Sequence, residues 1–104
     1  MKIWVDDTRP KPQNFDIHTH SVKATINVIQ KLENEGLTIN LIDLDHDAGD
    51  YWVDGGDFIK VLDWLEETNR NYPIAIHTAN PAGRQNMLNI CRKNNWKVVN
   101  TWFK

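Results

Sequence analysis

The stretch "LIDLDHDAGD", residues 41–50, decides the fold. Strand-forming residues Leu41 to Leu44 run straight into Asp45, His46, Asp47 and Asp50. Short apolar runs of this kind are the buried strands of parallel sheets. Four carboxylates, counting Asp43, fall within eight positions here. Groups packed so closely repel one another unless something cationic is shared. A buried strand with a polar end is what an open α/β sheet needs, because its ligands bind outside the carboxyl ends of the strands.

Moving outward, the same pattern recurs. "KIWV" (2–5) is an apolar run that stops at Asp6 and Asp7, and "PIAIHTA" (73–79) is one that ends at His77 and Thr78. "FDIHTH" (15–20) alternates like a short strand, "LTINLIDL" (37–44) is the central one, and "WKVVNTWF" (96–103) reads as a fifth. Between them lie amphipathic helices. Val22, Ile26, Ile29 and Leu32 recur at helical spacing, with Ser21 as cap and Gly36 as stop. Phe58, Val61, Leu62 and Leu65 share a face of the next helix. Asn80 and Pro81 open a third, "AGRQNMLNICRKNN". The link from the first strand to the second is different: "TRPKPQN" carries two prolines and cannot be helical. Alternating strands and helices predict an α/β fold, three-layer, with a mostly parallel sheet covered on both faces.

At 104 residues the chain is expected to be one domain, 1–104. Its net charge of −2 provides no general basic field, so long-duplex nucleic acid is not expected as a partner. The single cysteine, Cys91, excludes an intrachain disulfide. The N-terminus turns acidic by residue 6 without an apolar signal region, and no apolar run is long enough to span a membrane. A cytoplasmic location and no membrane partner are therefore expected.

The polar residues of interest all fall on one predicted sheet edge. Asp6, Asp7 and Asp45 would point into one cleft from neighbouring strands, where Mg²⁺ suits a few carboxylates plus waters. An isolated Asp-Asp pair would merely end a strand; a third acid at a second strand end favours a cation. His46, between Asp45 and Asp47, has the titration range of a general acid or base. His77 ends an apolar strand and is a second such group, or a core histidine bonded to backbone. The helix start at Asn80, with Gly83 and Arg84 in its first turn, is a place for an anion. Arg9 and Lys11 in the proline loop lie near Asp7 in sequence. His18 and His20 lack a third metal ligand in sight and read as surface residues.

"KIWVDDTRPKP", "LDHDAGD" with "GGDFIKVLDWLEE", and "IHTANPAGRQNM" together resemble the cyclic-phosphate-processing receiver-like domains, divergent relatives of response-regulator receivers. The resemblance runs from Lys2 to Met87. It departs from the family's usual pattern at Val5, where Leu is common, and at Asp43, where a small residue is usual. It implies a flavodoxin-type five-stranded sheet in the order 2-1-3-4-5, with the first and last receiver helices missing. It also places Asp6, Asp7 and Asp45 on the receiver's acidic pocket, Asp45 at the phospho-acceptor position and Thr78 at the switch hydroxyl. Arg9, His46, Asp47, His77, Asn80 and Arg84 are then the residues particular to this family. The receiver's lysine after the fifth strand has no counterpart except the terminal Lys104.

The function expected from these readings is a metal-dependent phosphoesterase that processes cyclic phosphates, at RNA 2′,3′-cyclic ends in RNA repair or on nucleotides. Asp6, Asp7 and Asp45 would hold Mg²⁺. His46, His77 and Asp47 would carry the proton chemistry, and Arg9, Thr78, Asn80 and Arg84 would bind phosphate. The expected partner is a phosphorylated small molecule or an RNA end. The alternative is a non-enzymatic receiver-like module that binds a phosphorylated ligand or accepts phosphoryl at Asp45.

Overall fold

A computed structural model describes residues 1–99. The apolar runs form β1 (Lys2–Val5), β2 (Ile17–Thr19), β3 (Leu41–Leu44) and β4 (Ile74–Ile76). They build one sheet in the order β2-β1-β3-β4, with every pairing parallel. The helices are α1 (Val22–Asn34), α2 (Ile59–Glu67) and α3 (Pro81–Lys93), and a 3-10 helix spans Gly49–Asp54. α1 starts where Ser21 accepts the Ala24 N–H, and α3 where Asn80 accepts the Gly83 N–H, as their cap residues predict. Between β1 and β2 there is no helix, only the proline loop.

The expected fifth strand is represented by its first residues alone. Val98 forms a single parallel bridge to Ile74, and Val99 N–H donates to the Ile74 carbonyl at 2.8 Å. Residues 100–103 of that expected strand, and Lys104, lie outside the described residues.

The three-layer expectation does not hold for residues 1–99, where the architecture has two layers. Ile3, Val5, Ile42, Leu44, Ile74 and Ile76 form one sheet face. All three helices pack on it, through residues such as Val22, Ile29, Leu62, Leu65, Met87 and Cys91. The opposite face carries Trp4, Leu41 and Ala75, joined by Phe15 from the proline loop. The physical reason is the missing first helix: in its place a short loop covers the strands, and proline forbids helix there. Alternation along each strand therefore sorts the residues into a helix-covered face and a loop-covered face. The second face is where Asp43 is buried.

Candidate functional site

At the end of β1 the chain turns sharply, and the Asp6 carboxylate makes the turn. Its Oδ1 accepts the backbone N–H groups of Thr8 at 2.9 Å and Arg9 at 2.7 Å. Its Oδ2 lies 2.7 Å from Nε2 of His77, whose Nδ1 lies 2.7 Å from Oδ1 of Asp43. Asp6, His77 and Asp43 are all fully buried. Trp4 lies flat on the imidazole, with centroids 3.7 Å apart and planes 4° apart. All four side chains project from strands or strand ends onto the loop-covered face, which explains how they meet.

The electrostatics follow from this packing. Burial alone would lower the His77 pKa, but the bonds to Asp43 and Asp6 outweigh it and raise the value. Burial alone would raise Asp6; the His77 bond and the Arg9 and Thr8 N–H groups win and hold it at about 2. The bonds thus favour a protonated imidazole and an ionised Asp6, and no buried side-chain nitrogen or oxygen among the described residues lacks a partner.

Above this layer, carboxylate oxygens of Asp6, Asp7 and Asp45 all come within 4.8 Å of one another. Asp7 is pushed above its ordinary value by burial and by the charges of Asp6 and Asp45. Gly49 allows the crowding: a Cβ there would sit 2.3 Å from Asp7 Oδ2. Three carboxylates this close, one of them pushed up by burial and by the charges of the other two, fit a hard divalent cation, which removes the repulsion.

Beside it stands a second group, His46, Asp47 and Asp57, with ligand atoms again within 4.8 Å. His46 Nδ1 lies 2.7 Å from Asp47 Oδ1, and the His46 backbone N–H donates to Asp45 Oδ1 at 2.7 Å. Asp57 accepts the Ala48 N–H at 3.0 Å and so fastens the loop. The His46 ring lies against the first turn of α3, where a Cβ on Gly83 would meet its Cγ at 2.5 Å. Glycine at that position is what lets imidazole and helix touch.

The β4 end draws two guanidinium groups. Arg9 Nη1 donates to the His77 carbonyl at 2.7 Å, and Arg84 Nη1 to the Ile76 carbonyl at 2.8 Å. Thr78 Oγ1 accepts the Asn80 N–H at 3.1 Å, and Asn80 Nδ2 donates to Asp47 Oδ1 at 3.4 Å.

The sequence-predicted residues therefore converge on one edge, with a division the sequence did not reveal. Asp6, Asp7 and Asp45 form one cluster, His46 and Asp47 stand beside it with Asn80 bonded to Asp47, and Arg9 and Arg84 sit on the carbonyls at the β4 end. His77 lies beneath that cluster, with both ring nitrogens engaged by carboxylates, and Thr78 is buried with its hydroxyl bonded to the chain at the entrance of α3. Lys11 stays in its own loop, bonded to the Phe15 carbonyl at 2.6 Å. The rings of His18 and His20 stack, centroids 4.0 Å apart. Sequence reading gave no role to Asp43, Trp4, Asp57 or Gly49. Asp43 had a signal: an acid in the middle of a buried strand demands a partner.

Among models of known protein families, that of the cyclic-phosphate processing Receiver domain matches residues 1–93. No curated protein and no solved structure matches.

Proposed function

The chain belongs to the cyclic-phosphate processing receiver domain family, and on that premise we propose that it is a metal-dependent phosphoesterase that opens cyclic phosphates, on RNA ends or nucleotides. The observation that carries this is the adjacency of the Asp6–Asp7–Asp45 oxygens, within 4.8 Å of one another, to the His46–Asp47 pair. Asp6, Asp7 and Asp45 would hold Mg²⁺, which supplies positive charge against the phosphate oxygens.

The chain's own groups divide the rest. Asp47 accepts from His46 Nδ1, which leaves Nε2 as the nitrogen that takes a proton from the attacking water. Water oxygen bonds to phosphorus, one ring P–O bond breaks, and the proton returns from His46 to the departing ribose oxygen. The net change is addition of one water. Arg9 and Arg84, bonded to the carbonyls at the end of β4, would hold non-bridging phosphate oxygens. Asn80 and Thr78 fix the start of α3 beside His46. His77 is a positioning residue: it holds Asp6 in one orientation against the charge of Asp43 and does not itself meet substrate.

The test is ³¹P NMR of a nucleoside 2′,3′-cyclic phosphate with the protein and Mg²⁺. Conversion of the ring signal to a monoester, absent with Asp45→Asn, is the expected result. An unchanged ring signal at stoichiometric protein would overturn the reading. A second reading, phosphoryl acceptance at Asp45, is favoured by its position at the end of the central strand beside Asp6 and Asp7. It predicts a phosphoryl mass gain on Asp45 from a small phosphodonor.

A further inference from the structure

Next to the acidic cluster the surface changes character. The stacked rings of His18 and His20 are continued by Tyr51, whose centroid is 5.4 Å from that of His20 at a 38° tilt. At its inner end this pile is fastened to the acidic cluster, since His18 Nε2 bonds the Asp6 carbonyl at 2.9 Å. At its outer end Tyr51 follows two residues after Gly49, the residue pressed against Asp7.

Tyr51, Trp52 and Val53 are 44%, 60% and 84% exposed, three consecutive apolar side chains on one short segment. The segment is not frayed. Tyr51 N–H donates to the Ala48 carbonyl at 3.0 Å, Gly56 N–H to the Trp52 carbonyl at 2.7 Å, and Ser21 Oγ to Asp54 Oδ2 at 2.5 Å. Exposed apolar surface on a pinned segment marks a binding site more than a packing defect. Its neighbours select the ligand. A molecule with its phosphate at the Asp6–Asp7–Asp45 cluster carries its remaining atoms out past Tyr51 or away from it. Planar aromatic groups gain from stacking on exposed rings, and nucleobases of every kind offer such a face.

We propose that His20, Tyr51 and Trp52 form a base-stacking subsite, so that the ligand is a nucleoside cyclic phosphate and not a base-free polyol cyclic phosphate. This rests on the phosphoester reading above. The base would stack on the ring platform while the cyclic phosphate reaches the carboxylates, and neither contact needs a particular base. A free nucleotide and the terminal nucleotide of an RNA present the same chemistry.

Isothermal titration with Mg²⁺ present tests this with three probes: cytidine 2′,3′-cyclic phosphate, glycerol 1,2-cyclic phosphate, and a trinucleotide ending in the same ring. The native protein should bind the cytidine compound about ten-fold or more tightly than the glycerol compound. A Tyr51→Ala, Trp52→Ala double variant, both changes being at exposed positions, should lose that preference, the two Kd values coming within about two-fold of each other. Tighter binding of the trinucleotide than of cytidine 2′,3′-cyclic phosphate supports the subsite with an RNA end as source; equal binding supports it with a free nucleotide. Equal affinity of the native protein for cytidine and glycerol rings overturns the subsite and leaves the phosphoesterase reading intact. A preference that survives in the double variant also overturns it. Failure of all three probes to bind overturns both.

Discussion

His77 is buried and bonded to Asp6, one of the three clustered carboxylates. It lies 2.7 Å from each of two buried carboxylates, Asp43 and Asp6, and its bond helps to hold Asp6 ionised in the protein interior. Removing one partner of a buried ion pair typically costs about 3–5 kcal/mol, because a charge is left uncompensated. His77→Ala should therefore lower the urea midpoint by a loss of that order; a loss under about 1 kcal/mol would show that the trio is not a buried ion cluster. The same bonds set the pH dependence. Asp6 is depressed from 3.8 to about 2, so its contribution, of order 2 kcal/mol, is present above the ordinary value and lost as pH falls toward 2. His77 is raised above 6.5, so its contribution is full below that value and lost as pH climbs through the raised one. Thermal unfolding across this range should show stability falling on both sides. Asp6→Asn should flatten the acid side, and an unchanged acid limb in that variant would refute the assignment.

Two glycines set the geometry at the level of elements. Gly49, at φ +55° as the first residue of the 3-10 helix, lies against Asp7; Gly83, in the first turn of α3, lies against His46. Gly49→Ala adds left-handed strain of about 1 kcal/mol and drives a methyl into Asp7. Mg²⁺ affinity measured by titration should fall about ten-fold or more. Gly83→Ala sits in ordinary helical backbone, where alanine is favoured by about 1 kcal/mol. Its methyl instead displaces His46, so turnover should fall while Mg²⁺ binding persists. Loss of metal binding in Gly83→Ala would contradict the division of labour between the two groups. These elements were readable in part. Ser21, Asn80 and Pro81 announce their helices through capping chemistry, and the proline loop announces a missing helix. The glycine contacts were not readable, because they join residues 42 and 37 positions apart, Asp7 with Gly49 and His46 with Gly83. Nor was the burial of His77: a strand-end histidine reads alike whether it faces solvent or two carboxylates.

Across residues 1–99, the sheet of four parallel strands keeps its helices on one face and its buried Asp6–His77–Asp43 cluster on the other. The shared edge followed from where apolar runs ended in polar residues, and the order of strands from the resemblance to the receiver-like family. The second covering layer did not, since alternation shows that a face is buried without showing what buries it. Among the described residues no helix is long and apolar enough to cross a membrane. If the acidic cluster binds Mg²⁺ only when folded, a concentration of 100 Kd should stabilise the native protein by about 2.7 kcal/mol, read as a rise in Tm. Asp45→Asn should abolish that rise; a rise of equal size in the variant would place the cation elsewhere. The most direct measurement of the central claim uses an RNA oligonucleotide ending in a 2′,3′-cyclic phosphate, incubated with the protein and Mg²⁺ and followed by mass. The oligonucleotide should gain one water, and only when Asp45 and Mg²⁺ are both present. An oligonucleotide of unchanged mass, with enzyme and substrate at equal concentration, would contradict it.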